Sequence, residues 1–211
     1  MTDKYTKPDN DRMALITIDV QNDFTLKNAP LEIKGTLEIV PKIVTLLNKF
    51  REKQKPIIHV IRLYKEDGTN AELCRKKMIE EGKKAAVPGS EGSELVKELK
   101  PNPNKLNFEK LLKGELQEIS KNEHIIYKQR WGAFYNTKLE ETLRNKGVTT
   151  LVFAGCNFPN CPRTSIYEAS ERDFKIIVIK DAISGIYDKD MAELENIGCE
   201  IISLEDFMKK V

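Results

Sequence analysis

Cys161 stands where an apolar run, Leu151-Val152-Phe153-Ala154, closed by Gly155, gives way to a helical pattern over Thr164 to Arg172. Pro162 suits a first helical position, because the N–H it lacks would find no partner there. The spacing therefore predicts Cys161 at a helix N-terminus. Free N–H groups and the positive end of the helix dipole favour thiolate over thiol, so the expected pKa is lowered toward neutrality. A free cysteine is otherwise most often a small buried hydrophobe. What argues for chemistry is its place in a loop beyond the carboxyl end of a strand, where open α/β sheets bind ligands.

Two further strand-like runs each carry a charge near the carboxyl end. Asp19 is the lone charge in ALITIDV, residues 14–20, and Lys128 closes HIIYK. If these strands are parallel, Asp19, Lys128 and Cys161 project toward one rim. A carboxylate, an ammonium and a thiol can divide the work of acyl transfer. Asp19 would take the thiol proton and return it to a leaving group, Lys128 would hold Asp19 ionised and orient it, and Cys161 would attack a carbonyl. Taken singly, each charge also fits a cap or a solvated strand end.

The elements that must position these residues alternate along the chain. Strands are expected at 14–20, 56–63, 123–128, 149–154, 175–180 and 199–203. Helices are expected at 37–52, 136–146, from Cys161, and at 189–196. The first helix carries Ile39, Ile43, Leu46, Leu47 and Phe50 on one face, and Asn136 reads as an N-cap. Gly147 and Gly198 fall just past helix ends, as stop signals do. Repeated strand–helix–strand units imply a parallel sheet covered on both faces through right-handed crossovers. A polar stretch, 64–107, is broken by Gly82, Gly89, Gly92, Pro88, Pro101 and Pro103. It reads as an excursion covering the substrate, or as a surface insertion, within a single domain spanning 1–211.

A net charge of +2 with 32% charged residues describes an ordinary surface and gives no basic excess for nucleic acid. Runs such as Arg75-Lys76-Lys77 and Lys83-Lys84, interrupted by Glu80 and Glu81, read as a solvated face. No run approaches the roughly 18 apolar residues of a membrane span. The N-terminus is polar, and the four cysteines, Cys74, Cys156, Cys161 and Cys199, are scattered, which points to a reducing, cytoplasmic setting. Cys156 and Cys161 could form a disulfide or half of a metal site, but the spacing suits zinc poorly, and neither His59 nor His124 lies near a second cysteine pair. His59, inside an apolar strand, reads as a satisfied core histidine. No metal and no cofactor are expected.

Three blocks, in order, resemble the isochorismatase-like cysteine hydrolases. They are Asp19-Val20-Gln21-Asn22-Asp23-Phe24, similar to a D-x-Q-x-x-F opening; Lys128 with Arg130, Ala133, Phe134 and Thr137, similar to a K-x-x-x-x-A-F-x-x-T block; and Gly155 with Cys161, Ser165 and Ala169. The resemblance spans about residues 12 to 205. It implies a Rossmann-like three-layer α/β/α domain with a mostly parallel six-stranded sheet. It also implies an Asp19–Lys128–Cys161 triad that hydrolyses C–N bonds of small amide, ureido or carbamoyl substrates through a thioester. An oxyanion hole would fall at the backbone of Asn157, Phe158 and Cys161, near a cis peptide. Nicotinamidases of the family carry an Asp-x-His pair as metal ligands. This chain has His59-Val60-Ile61-Arg62 there, so the implied chemistry is metal-free. The cysteine also disfavours the vinyl-ether branch.

Arg62, at a strand end, is the candidate for a substrate carboxylate, with a surface ion pair as the alternative. Phe24, Trp131 and Phe134 are the candidate pocket aromatics. Family members are often dimers or tetramers, so a homo-oligomer is implied. The rival reading is a non-catalytic flavodoxin-like binding or redox module, in which Cys161 is regulatory or pairs with Cys156.

Overall fold

A computed structural model describes residues 3–211. Strands β1 (Met13–Ile18), β2 (Ile57–Arg62), β3 (Gln117–Ser120), β4 (Glu123–Lys128), β5 (Thr150–Gly155), β6 (Lys175–Ile183) and β7 (Glu200–Ile202) form one sheet. Their order is β3-β4-β2-β1-β5-β6-β7. Every pairing is parallel except β3 with β4.

The central strands are apolar along their whole length because both faces are covered. On one face Ala14, Ile16 and Ile18 of β1 pack with α5 (Leu139–Asn145), α6 (Cys161–Ser170) and α7 (Asp188–Asn196), through Leu139, Leu143, Ile166, Ala169 and Leu194. On the other, Met13 and Leu15 meet α2 (Thr36–Glu52) and α8 (Leu204–Lys210) through Val40, Ile43, Leu46, Leu47, Phe50 and Phe207. The remaining helices are short: α1 (Asn22–Thr25), α3 (Leu73–Glu80) and α4 (Phe108–Leu112).

The three-layer α/β/α architecture matches the expectation, with seven strands in place of six. The additional one, β3, is an antiparallel edge strand in which Ile119 alone is buried. Helix α5 begins at Leu139 rather than Asn136, and Asn136 adopts φ +50 in the preceding loop instead of capping. That loop is held by α6: the Ala133 N–H donates to Ser165 Oγ at 3.0 Å and the Phe134 N–H to Glu168 Oε2 at 2.9 Å.

Strand order reverses between β1 and β5, which pair from Met13 with Thr150 to Ile18 with Gly155. Gly155 has φ +124, and a Cβ there would lie 2.3 Å from the Ile18 carbonyl oxygen. No side chain fits in that space. The crevice beyond this switch point is flanked by Asp19, just past β1, and by Cys161, which opens α6.

Candidate active site

Asp19 follows β1 in a left-handed conformation, φ +53, which costs energy in a residue other than glycine. Its surroundings over-determine it. The Asp19 N–H donates to Val60 O at 2.9 Å, and its carbonyl accepts from the Gln21 N–H at 2.8 Å and from Cys156 Sγ at 3.1 Å. Gln21, wholly buried, ties three segments together. Its side-chain amide donates to Arg62 O and Ser93 O, and its Oε1 accepts from the Arg62 N–H. The glutamine of the first sequence block is thus a positioning residue whose work is to fix the turn that aims Asp19.

Lys128 sits at the end of β4, two strands from β1 with β2 between. Strands lie ~4.8 Å apart, so only a long side chain can cross that distance. Its Nζ lies 2.9 Å from Asp19 Oδ2, 3.2 Å from Cys161 Sγ and 3.3 Å from Arg130 O. An ammonium has three donors, and all three are used. The three side chains are buried: Lys128 is 0% exposed, Asp19 5% and Cys161 7%. Burial favours the neutral amine, but the neighbouring carboxylate of Asp19 outweighs it and holds Lys128 above its ordinary pKa. Asp19 Oδ1 is buried without a hydrogen-bond partner among the described residues.

Cys161 is the first residue of α6, with Pro162 behind it, as the sequence predicts. Its acidity is not as predicted. Burial, and after it the Asp19 carboxylate, push the thiol up to about 12, against the pull of Lys128. The expectation of a thiol lowered toward neutrality by the helix terminus is therefore corrected. Desolvation penalises the thiolate, and the Asp19 carboxylate repels it. Burial and the Asp19 carboxylate thus both favour the neutral thiol beside the Asp19–Lys128 ion pair.

Asp19, Lys128 and Cys161 line one cavity of about 390 Å³, together with Phe24, Arg62, Trp131, Cys156 and Asn157. Three sequence expectations need correction here. Phe134 does not line the cavity; it packs in the core against Phe174, ring centroids 5.9 Å apart. Arg62 touches the cavity, but its fork is occupied. Nε and Nη2 bind the two carboxylate oxygens of Glu72 at 3.0 and 3.2 Å, and Nη2 also donates to Asn70 O at 2.7 Å. The Phe158 N–H donates to Ser184 O at 2.8 Å, so of the three expected oxyanion donors it is already engaged. The described residues contain no cis peptide bond.

Several lining residues carry no sequence expectation, and two of them are cations. Arg75 and Lys83 reach the cavity from the 64–107 excursion, where their charge runs read as a solvated face. Among the described residues no group of three or more His, Cys, Asp or Glu side chains is placed to hold a metal ion. His59 is turned away from the cavity: its Nε2 donates to Glu123 Oε1 and its Nδ1 pairs with Thr17 Oγ1, each at 2.8 Å. The donors present do not fit a metal-ligand set. All four cysteines are free.

Fold and site together define a doubly wound α/β protein with a cysteine-centred pocket at its switch point. The isochorismatase domain model matches residues 13–114 and 109–206, and the chain belongs to the isochorismatase family of hydrolases. It is 30% identical over 204 residues, 94% of this chain and 95% of the relative, to an Arabidopsis thaliana protein named a "probable inactive nicotinamidase". A ureidoacrylate amidohydrolase from Methylobacterium radiotolerans is 28% identical over 80% of this chain, which spans 65% of that enzyme. Among solved structures, an isochorismatase family protein from Desulfovibrio vulgaris superposes with a TM-score of 0.80 at 30% identity, covering 94% of this chain and 97% of that one. No helix of the described residues is long and apolar enough to cross a membrane.

Proposed function

We propose that the chain is a metal-independent cysteine amidohydrolase that cleaves the C–N bond of a small amide, ureido or carbamoyl compound through a thioester on Cys161. The observation that carries this is the arrangement around Lys128 Nζ. It touches both Asp19 Oδ2 and Cys161 Sγ, and it leaves Asp19 Oδ1 open to accept a proton.

In the first half-reaction Asp19 takes the thiol proton as sulfur bonds to the carbonyl carbon. A thiol held near 12 requires that proton transfer to accompany attack. The N–H groups of Asn157 and Cys161 receive the oxyanion, an interaction that strengthens as charge develops. Asp19 then gives its proton to the leaving nitrogen, the C–N bond breaks, and the thioester remains. Water attacks the thioester with Asp19 taking one of its protons, the C–S bond breaks, and Asp19 reprotonates the sulfur. Lys128 stays charged throughout, holding Asp19 in place and balancing the charge that moves between oxygen and sulfur.

The 64–107 excursion forms part of the cover, with residues 1–211 acting as one domain. A reducing compartment, the cytoplasm, suits a nucleophile that must remain a thiol. A homo-oligomer, dimer or tetramer, completes the proposal and is checked by sedimentation velocity. Cys156 has a structural task, since its thiol is held at the Asp19 carbonyl and burial raises its pKa well above the ordinary value. That favours the hydrolase over a Cys156–Cys161 redox module.

The test is ammonia release from a panel of amides and ureides, with mass spectrometry of the acid-quenched enzyme. An acyl adduct on Cys161, and loss of turnover in Cys161→Ala and Asp19→Ala, are expected. Full turnover in either variant overturns the assignment.

A further inference from the structure

Of the six charged side chains that line the cavity, three are matched in ion pairs within the protein. Asp19 pairs with Lys128, and Arg62 with Glu72. Glu32, exposed at the mouth, accepts the Asn28 N–H at 2.8 Å but joins no ion pair among the described residues, so it is the one unmatched anion of the lining. Arg75 is different. No ion pair involves it among the described residues, and its Nε is buried without a hydrogen-bond partner. Its guanidinium carbon lies 5.8 Å from the ring centroid of Trp131, another lining residue. The side chain is half-buried in the cavity wall, and no hydrogen bond involves the rest of its fork among the described residues, so an anion entering the cavity would meet an unmatched guanidinium. The planar fork of arginine fits carboxylate in two parallel hydrogen bonds, and a neighbouring indole helps fix its plane. Lys83, exposed and with neither ion pair nor side-chain hydrogen bond among the described residues, adds a second free cation at the mouth.

We propose that Arg75 is the anchor for a carboxylate on the substrate, and that the natural substrates are small amides or ureides with an anionic group at the end away from the scissile C–N bond. The cavity of about 390 Å³ is at the small end of ligand pockets, which suits a chain of a few carbons between carboxylate and carbonyl. The role that Arg62 suggests from sequence passes to Arg75, because Glu72 occupies the one fork and nothing occupies the other. Lys83 draws the anion toward the mouth. The reacting end rests on the hydrolase reading, whereas the anion site does not.

Binding to the Cys161→Ala protein separates the two. Calorimetry with maleamate and succinamate, against butyramide as the uncharged comparison, is expected to show binding of the two anions and little or none of butyramide. Arg75→Gln in that background should weaken succinamate binding by about 10- to 100-fold, the usual range for a lost charge-assisted hydrogen bond. Arg75→Lys keeps the charge without the fork and should fall between. Lys83→Gln should weaken binding by roughly twofold, an effect that added salt removes. Equal affinity in Arg75→Gln, butyramide binding as tightly as succinamate, or no binding of either anion overturns the anion site. If the anions bind through Arg75 and the wild-type chain releases no ammonia from them, the hydrolase reading fails and the anion site stands.

Discussion

Strand β4 carries a buried charge at each end, and the two ends are built on different terms. Glu123 opens the strand and Lys128 closes it, ~17 Å apart at the usual rise per residue. Both oxygens of Glu123 are matched. Arg51 Nε and Nη2 bind its two oxygens at 2.9 and 2.6 Å, His59 adds a third hydrogen bond, and Thr17 completes the histidine. Around Lys128 the ammonium is satisfied but its partner is not, since Asp19 keeps one buried oxygen free. A closed network holds structure. An open one keeps a lone pair for a proton that has yet to arrive.

The strongest way to break this contrast is at the open end. Asp19→Asn should lower kcat by about 10²- to 10⁴-fold, because the amide cannot accept the proton. The same change should quicken alkylation of Cys161 by iodoacetamide near pH 7. Removing the carboxylate removes a charge that raises the thiol and leaves Lys128 to stabilise the thiolate. A variant that is catalytically dead yet more reactive is the signature. Slower alkylation would show that Asp19 does not control the sulfur.

At the closed end the expected loss is one of stability. Glu123→Gln leaves Arg51 and His59 without their anion and should cost about 3–5 kcal/mol in urea unfolding, with kcat of the folded protein within about threefold of wild type. A large kcat loss without destabilisation would invert the comparison.

Acid sharpens it further. Burial raises Glu123, but the hydrogen bonds and charges of Arg51 and His59 prevail and bring it from 4.5 to about 2. A depressed carboxylate contributes stability above its unfolded pKa and loses it as protons bind. Glu123's share is therefore complete above about pH 5 and falls away between about 4.5 and 2. Denaturant unfolding across that window should show the decline in wild type, and Glu123→Gln should flatten it. The smallest effect is expected from Thr17→Val, about 1 kcal/mol, since only one hydrogen bond of the closed network is lost.

How much of this was legible follows from the range of the forces involved. Asp19, Lys128 and Cys161 stood out because a polar residue at the end of an apolar strand is a local pattern, and parallel order brings strand ends together. Arg62 misled because its partner, Glu72, meets it only after the chain turns back. Arg75 was hidden for the opposite reason. Helix α3 buries none of its residues, so it shows no periodicity to separate the one side chain facing the cavity from those facing water. The thiol's acidity was misjudged because the helix end is written in the segment itself, whereas burial and the Asp19 carboxylate arrive from elsewhere. Strand β3 and helix α8 escaped notice because each buries a single residue, Ile119 or Phe207.

Gly155 carries one more consequence. Asp19 and Cys161 hang from adjacent strands, and the spacing between those strands at the rim is gauged by a hydrogen atom where any other residue would place carbon against Ile18. The width of the crevice between the Asp19 carboxylate and the Cys161 sulfur is therefore set from behind, by an atom that reaches neither. A methyl group at this position would act as a wedge, parting the Asp19 carboxylate from the Cys161 sulfur while leaving both side chains chemically intact.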